Sequence, residues 1–434
     1  MTGTSQSSIY DGTPGTAAGQ APDGYAPTEH GAALQARAAR VIPGGMWGHQ
    51  SIRFLTPHHP QFLASAQGAH IVDVDGRRYV DLLCAYGPIL LGYQHPVVEA
   101  AADWQRRLGD TQNAPSPLAV ELAETLVDTI DHADWAVLAK NGTDATTACV
   151  TIARAATGHC VVLAARGAYH GAAPWCTPNA AGVLDTDRAS IRYFEYNDLA
   201  SFEAAAASAG DDLAAVIVTP MKHFEGQDQE LVDPVFARAI RAACDRAGAA
   251  LILDDVRCGF RFHVGSSWTP IGVQPDLSAW SKALGNGYPI AAVAGRDSLR
   301  DAASRVYLTG SFWTSAVPMA AALATIGELR GSSAFADLTR AADRLAGGIR
   351  AQAAGHSLST AYTGHPTMPY LTFGADEAYE RMRVFAHACL DAGLYLHPMH
   401  NWFVSAAHTD EVVDAALVAT DHAFSVVRAT FGTD

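Results

Sequence analysis

Between residues 159 and 295 the chain repeats one arrangement, a short and almost wholly apolar run separated from the next by longer stretches, several of them Ala-rich and helical in spacing. The runs are HCVVLAA (159–165), DLAAVIVTP (212–220), GAALILDD (248–255), LSAWSKA (277–283) and AAVAG (291–295). A strand that is apolar on both faces must be covered on both, and strands alternating with helices connect most simply in parallel. The repetition therefore predicts an α/β domain around a mainly parallel sheet, with ligand chemistry at the carboxyl ends of its strands.

The flanking regions read differently. EHGAALQARAARVIPG reads as a helix stopped by Pro43, Gly44 and Gly45, and AHIVDVDGRRYVDLLCA as a hairpin turning at Asp75-Gly76. Helical spacing recurs at 96–109, 117–131 and 316–330, then at 334–354 and 375–393 with the strand-like TMPYLTFG between the last two. This predicts a large domain over 86–330 and a smaller α+β domain over 331–434, packed with an N-terminal segment, 28–85. Residues 1–27 are rich in Gly, Ser, Thr and Pro and lack the basic start and apolar run of a targeting signal, so they read as a tail.

Composition excludes several functions. With 29 Lys plus Arg against 44 Asp plus Glu, the formal net charge of -15 repels nucleic acid and anionic membranes. Apolar stretches stop short of the roughly 20 residues that span a bilayer. Seven cysteines, an odd number with no C-x-x-C spacing, point to the reducing cytoplasm. His58-His59 and His397, His400 and His408 have no metal-ligand signature, so no metal is expected.

Four segments carry chemistry. In AWSKALGNGYPIAAVAG, Lys282 follows a strand and precedes a Gly-rich turn, where apolar surroundings and a nearby cation would lower its pKa and make it a nucleophile. A lysine at a strand end is also commonly a solvated surface residue. In LILDDVRCGFR two acids end a very apolar strand, at the crevice where open α/β sheets bind ligands, although such an acid can also simply cap the next element. Asn141-Gly142-Thr143 open a helix whose free N–H groups suit a phosphate, and N-G-T-D is equally a good helix cap. Tyr169 and His170, after the strand HCVVLAA, can stack on a flat ring or form the edge of a core.

In this order and context the segments resemble the class III, fold-type I aminotransferases that use pyridoxal 5′-phosphate (PLP), most closely their glutamate-1-semialdehyde aminomutase-like branch. The resemblance runs from VIPGG to SAAHTDEVVDAAL, and Lys282 follows Asp254 by 28 positions, a separation similar to that of the family's acid and lysine. It implies that Lys282 carries the cofactor as a Schiff base and shuttles a proton. It also implies that Asp254 pairs with the pyridinium nitrogen and that Asn141, Gly142 and Thr143 hold the phosphate. Tyr169, followed by His170, would stack on the ring. GSFWTSAVPMAAALATI resembles the segment that reaches the neighbouring subunit's phosphate, with Ser311 in the Thr position, and so implies a homodimer.

There are departures from the family pattern. Thr219-Pro220 stands for Glu-Pro, Asp255 for Glu, and GGMWGHQSIRFLTPHHP replaces the segment that supplies a carboxylate-binding arginine. Arg53, Tyr86 and Arg257 are the candidate substrate residues. The resemblance implies an aminotransferase acting by a ping-pong mechanism on a small-molecule amino donor and a carbonyl acceptor. An intramolecular aminomutase or a racemase would share the cofactor residues, and a non-catalytic homologue would need neither Lys282 nor Asp254.

Overall fold

The computed structural model describes residues 29–51, 55–56, 59–224 and 226–433. A helix, Glu29–Val41, precedes strands β1 (Leu63–Gln67), β2 (His70–Asp73) and β3 (Arg78–Asp81). β2 and β3 form the predicted antiparallel hairpin, and Gly76 turns between them at φ 84°.

The large sheet contains β4 (Trp135–Ala139), β5 (Val161–Ala165), β6 (Ile191–Phe194) and β7 (Leu213–Val218). After a short hairpin of β8 (Met221–Lys222) and β9 (Glu230–Leu231), it is completed by β10 (Ala250–Asp254), β11 (Leu277–Trp280) and β12 (Ala291–Gly295). Its order is β4-β12-β11-β10-β7-β5-β6, parallel from β11 to β6, with β12 antiparallel to both neighbours. Every residue of β5, β7, β10, β11 and β12 is buried.

Burial on both faces follows from the pleat. Val162, Ala164, Ala215, Ile217, Ala250 and Ile252 pack with the helix Gly142–Thr157 on one side. Their neighbours Leu163, Val216, Val218, Leu251 and Leu253 pack on the other, against helices Leu199–Ala209 and Pro234–Ala247. Each aliphatic side chain so covered contributes roughly 1.5–3 kcal/mol relative to exposure. That accounts for the uninterrupted apolar runs.

The last section holds β13 (Thr360–Thr363), β14 (Tyr370–Phe373) and β15 (Leu394–Tyr395), with helices Ala334–Gly355, Glu380–Asp391 and Asp410–Phe431. β15 pairs parallel with β3. The helix expected from 375 starts only at Glu380, because the Asp376 carboxylate accepts from the N–H groups of Arg381 and Met382 and so marks its beginning. One apolar cluster joins Trp280 and Leu284 to Phe385, Trp402 and Phe424, so the end of β11 is fixed from below by the last section. Among the described residues no helix is long and apolar enough to cross a membrane, and all seven cysteines are free.

Candidate active site

Where β11 ends, the chain leaves the sheet in a tight turn, Lys282–Gly285, with Lys282 at φ 48° and Asn286 at φ 44°. The Lys282 Nζ donates to the carbonyl of Tyr86 at 2.6 Å. That carbonyl lies in a run of three left-handed residues, Cys84, Ala85 and Tyr86 at φ 47°, 53° and 64°. Each costs about 1–2 kcal/mol, so the surroundings must hold them there. Asn286 does part of this: its Oδ1 accepts from the N–H groups of Leu90 (2.9 Å) and Leu91 (2.8 Å), and its Nδ2 donates to Gly92 O at 2.9 Å. Arg261, fully buried, donates to the carbonyls of Gly87 (2.7 Å), Ile89 (3.0 Å) and Val404 (2.8 Å). The lysine turn, the loop 84–92 and the C-terminal segment are thereby tied together. Burial, with the guanidinium groups of Arg257 and Arg261 nearby, pushes the Lys282 amine down to about 7, where much of it is neutral and nucleophilic at neutral pH.

The two acids at the end of β10 diverge, as consecutive strand residues do. Asp254 is buried, with Oδ2 2.7 Å from His170 Nδ1 and Oδ1 accepting from Val256 N at 3.2 Å. No lysine or arginine pairs with it among the described residues. Asp255 accepts instead from the N–H and hydroxyl of Ser267, and burial raises its carboxyl to about 7. Only Asp254 is thus left to meet a buried cation.

Asn141 caps the helix Gly142–Thr157 reciprocally with Asp144, its Oδ1 accepting from Asp144 N at 3.0 Å. The cap reading holds and is compatible with an anion site, since the first-turn N–H groups of Gly142 and Thr143 have no acceptor within the helix. A Cβ on Gly142 would stand 2.7 Å from Val256 Cγ1, and one on Gly171 would stand 2.6 Å from Thr143 Oγ1. Both glycines are needed for this close approach: the helix start packs onto the end of β10, and the segment after Tyr169 packs onto the helix start. Thr143 Oγ1 also accepts from Ala172 N at 3.1 Å.

The residues fit PLP on three counts: a helix start suits its phosphate, a buried carboxylate with no lysine or arginine partner among the described residues suits its pyridinium, and a largely neutral lysine suits its aldehyde. Two ring nitrogens of the same region, His170 Nε2 and His223 Nδ1, are buried without a partner, so the region holds hydrogen-bonding capacity that the chain alone leaves unused.

Tyr86 stands on the other side of the lysine, its hydroxyl donating to His49 O at 2.8 Å and its ring edge-on to His49 (4.5 Å) and His400 (5.1 Å). Arg257 donates to Asn401 Oδ1 at 2.8 Å. Tyr169 is 43% exposed, and Ser311 lies on an exposed turn where no hydrogen bond within the chain joins it to this cluster among the described residues. Arg53 and His58 lie outside the described residues. His59 and His408 are tied to backbone carbonyls of Leu396 and Asp81, and no metal-binding group of three or more side chains occurs among the described residues. Sequence reading did not find Asn286, Arg261, His49 or His223, and it weighed His400 only as a metal ligand. Their partners are far away along the chain, so no local pattern marks them.

A lysine, a carboxylate and a helix start gathered at the carboxyl ends of a mainly parallel sheet define a PLP enzyme of fold-type I. The model of the class-III aminotransferase family matches residues 55–422, and the chain belongs to that family. It is a PLP-dependent aminotransferase. It is 48% identical to the aminopentol aminotransferase of Sphingopyxis macrogoltabida over 92% of this chain and 95% of that one. A glutamate-1-semialdehyde 2,1-aminomutase of Desulfatibacillum aliphaticivorans is 31% identical over 89% of this chain and 97% of its own. The solved structure of the FumI protein of Sphingopyxis sp. MTA144, in its PLP internal aldimine form, superposes with a TM-score of 0.92 at 48% identity, covering 93% of this chain and 98% of that one.

Proposed function

We propose that this enzyme takes its amino group from a hydroxylated amine and passes it to a carbonyl acceptor, with Lys282 as the catalytic base and Asp254 as the partner of the pyridinium. The observation that carries this is the contact of Lys282 with Tyr86, whose ring is edged by His49 and His400, beside a carboxylate that no lysine or arginine among the described residues neutralises. Support for the donor comes from the 48% identical relative, whose name specifies an aminopentol.

Bound PLP supplies an electron sink for the carbon that loses its proton. Lys282 Nζ would hold the cofactor's aldehyde carbon and, as a free amine, would carry the proton. Asp254, oriented by His170, would face the pyridine nitrogen and favour its protonated form. Asn141, Gly142 and Thr143 would hold the phosphate through N–H groups, and Tyr169 would stack on the ring. Tyr86 and Arg257 face the substrate, and Arg53 is assigned there on the resemblance alone.

The same proposal includes a homodimer in which Ser311 reaches the partner's phosphate. Tyr307 and Phe312, 90% and 64% exposed on either side of Ser311, present aromatic surface that a second chain would cover. The division into a large domain over 86–330 and a smaller one over 331–434 built with the segment 28–85 draws support from the pairing of β15 with β3. Seven free cysteines suit the reducing cytoplasm.

The test loads the enzyme with PLP and adds amines without a carbonyl acceptor. The visible cofactor band should be lost with a hydroxylated amine and return when an acceptor is supplied. Turnover that needs no second substrate would instead indicate an aminomutase or racemase.

A further inference from the structure

His397 and His400 stand beside Tyr86, with ring centroids 6.2 Å and 5.1 Å from its ring and 5.9 Å from each other. Both are buried. Their protonation follows from their anchors. The backbone N–H of Met399 donates to His397 Nδ1 at 3.0 Å, and an N–H can only donate, so this Nδ1 is bare and the ring proton is on Nε2. His400 Nδ1 lies 2.7 Å from the carbonyl of Asn401, which can only accept, so this Nδ1 carries the proton and Nε2 is bare. Burial pushes His397 down to about 3, and burial with the Arg257 charge pushes His400 well below the usual range, so both rings are neutral at neutral pH. Neither Nε2 has a hydrogen-bond partner among the described residues. The two adjacent rings thus offer one donor and one acceptor.

We infer that His397 Nε2–H and His400 Nε2 together bind a hydroxyl on the carbon next to the amine-bearing carbon of the donor, so that the enzyme selects vicinal amino alcohols. This rests on the proposed use of a hydroxylated amine. A hydroxyl both donates and accepts and so satisfies both rings. A carboxylate only accepts and would meet the lone pair of His400, and an ammonium only donates and would meet the proton of His397. The position follows from Tyr86, whose carbonyl holds Lys282 Nζ at 2.6 Å while its ring touches His400, which places the pair close to the reacting nitrogen. A substrate that lacks the hydroxyl displaces water from this donor and acceptor without replacing its hydrogen bonds, which penalises it.

The test measures the loss of the visible cofactor band of the PLP-loaded enzyme in single turnovers with alaninol, isopropylamine and alanine, which share one skeleton and differ in a hydroxyl, nothing or a carboxylate. Alaninol should react about 10-fold faster than isopropylamine at equal concentration, as two neutral hydrogen bonds allow. In His397→Phe and His400→Phe that ratio should fall towards one. His397→Gln, which keeps a donor near the position of Nε2, should restore part of it. Equal rates for alaninol and isopropylamine in the unaltered enzyme would overturn the inference and leave the transamination itself standing. A ratio unchanged in both Phe variants would also overturn it, as would a preference for alanine, which would point to a carboxylate pocket at Arg257. Failure of all three amines to change the cofactor would overturn the proposed donor class, and this inference with it.

Discussion

Lys282 owes its reactivity to what surrounds it, since an exposed lysine would be an ammonium at neutral pH. Burial next to Arg257 and Arg261 disfavours the charged form and lowers the amine to about 7. The fraction of free base therefore grows as pH rises towards 7 and saturates above it. The rate at which apoenzyme captures PLP, followed by absorbance, should rise with pH to a midpoint near 7 and then level off. A midpoint near the ordinary lysine value would contradict this environment. Asp254→Asn can keep the contacts to His170 and Val256 N, so the fold should persist, but the charge proposed to face the ring nitrogen is lost. Activity should fall on the order of 100-fold or more, and steady-state kinetics with a circular dichroism control would check it. Asp254 and Lys282 were legible in the sequence because each ends an apolar run that can only be an inner strand. The separate hydrogen-bond partners of Asp254 and Asp255 were not, because strand alternation does not say which face holds His170 and which Ser267.

At the scale of elements, the site depends on a clamp between two loops. Asn286 alone satisfies the buried N–H groups of Leu90 and Leu91 and the carbonyl of Gly92. Asn286→Ala would leave these groups unpartnered, at a cost of roughly 2–4 kcal/mol, and would release the loop that presents the Tyr86 carbonyl. Denaturant unfolding should show that loss, with weaker PLP retention. Stability within 0.5 kcal/mol of the parent, about the spread of ordinary surface substitutions, would remove the clamp from the account. The inner strands β5, β7, β10, β11 and β12 were readable because two covered faces demand continuous apolar sequence. The edge strands β4 and β6 were not singled out, since each keeps partly exposed residues, as in IRYF, and so lacks that signal. The clamp itself joins segments distant in sequence, and no periodicity records such a contact.

For the whole molecule, the proposed homodimer rests on the exposed aromatic pair around Ser311 and on the helix start proposed to hold the phosphate from the same chain. Light scattering across a dilution series should show a dimer that PLP protects from dissociation, because a ligand held by both chains favours their association. A monomer that keeps full PLP occupancy would contradict the shared site. The chain contains only three lysines, which makes its central claim unusually open to test. Lys222 is paired with Glu230 at 2.7 Å, and Lys140 donates to the carbonyl of Pro289 at 3.1 Å, whereas Lys282 lies close enough to Asp254 to feel its charge. Borohydride reduction of the PLP-loaded protein, followed by peptide mapping, should find the reduced cofactor on the peptide carrying Lys282. An adduct on Lys140 or Lys222, or no adduct at all, would contradict the assignment of Lys282 as the cofactor lysine.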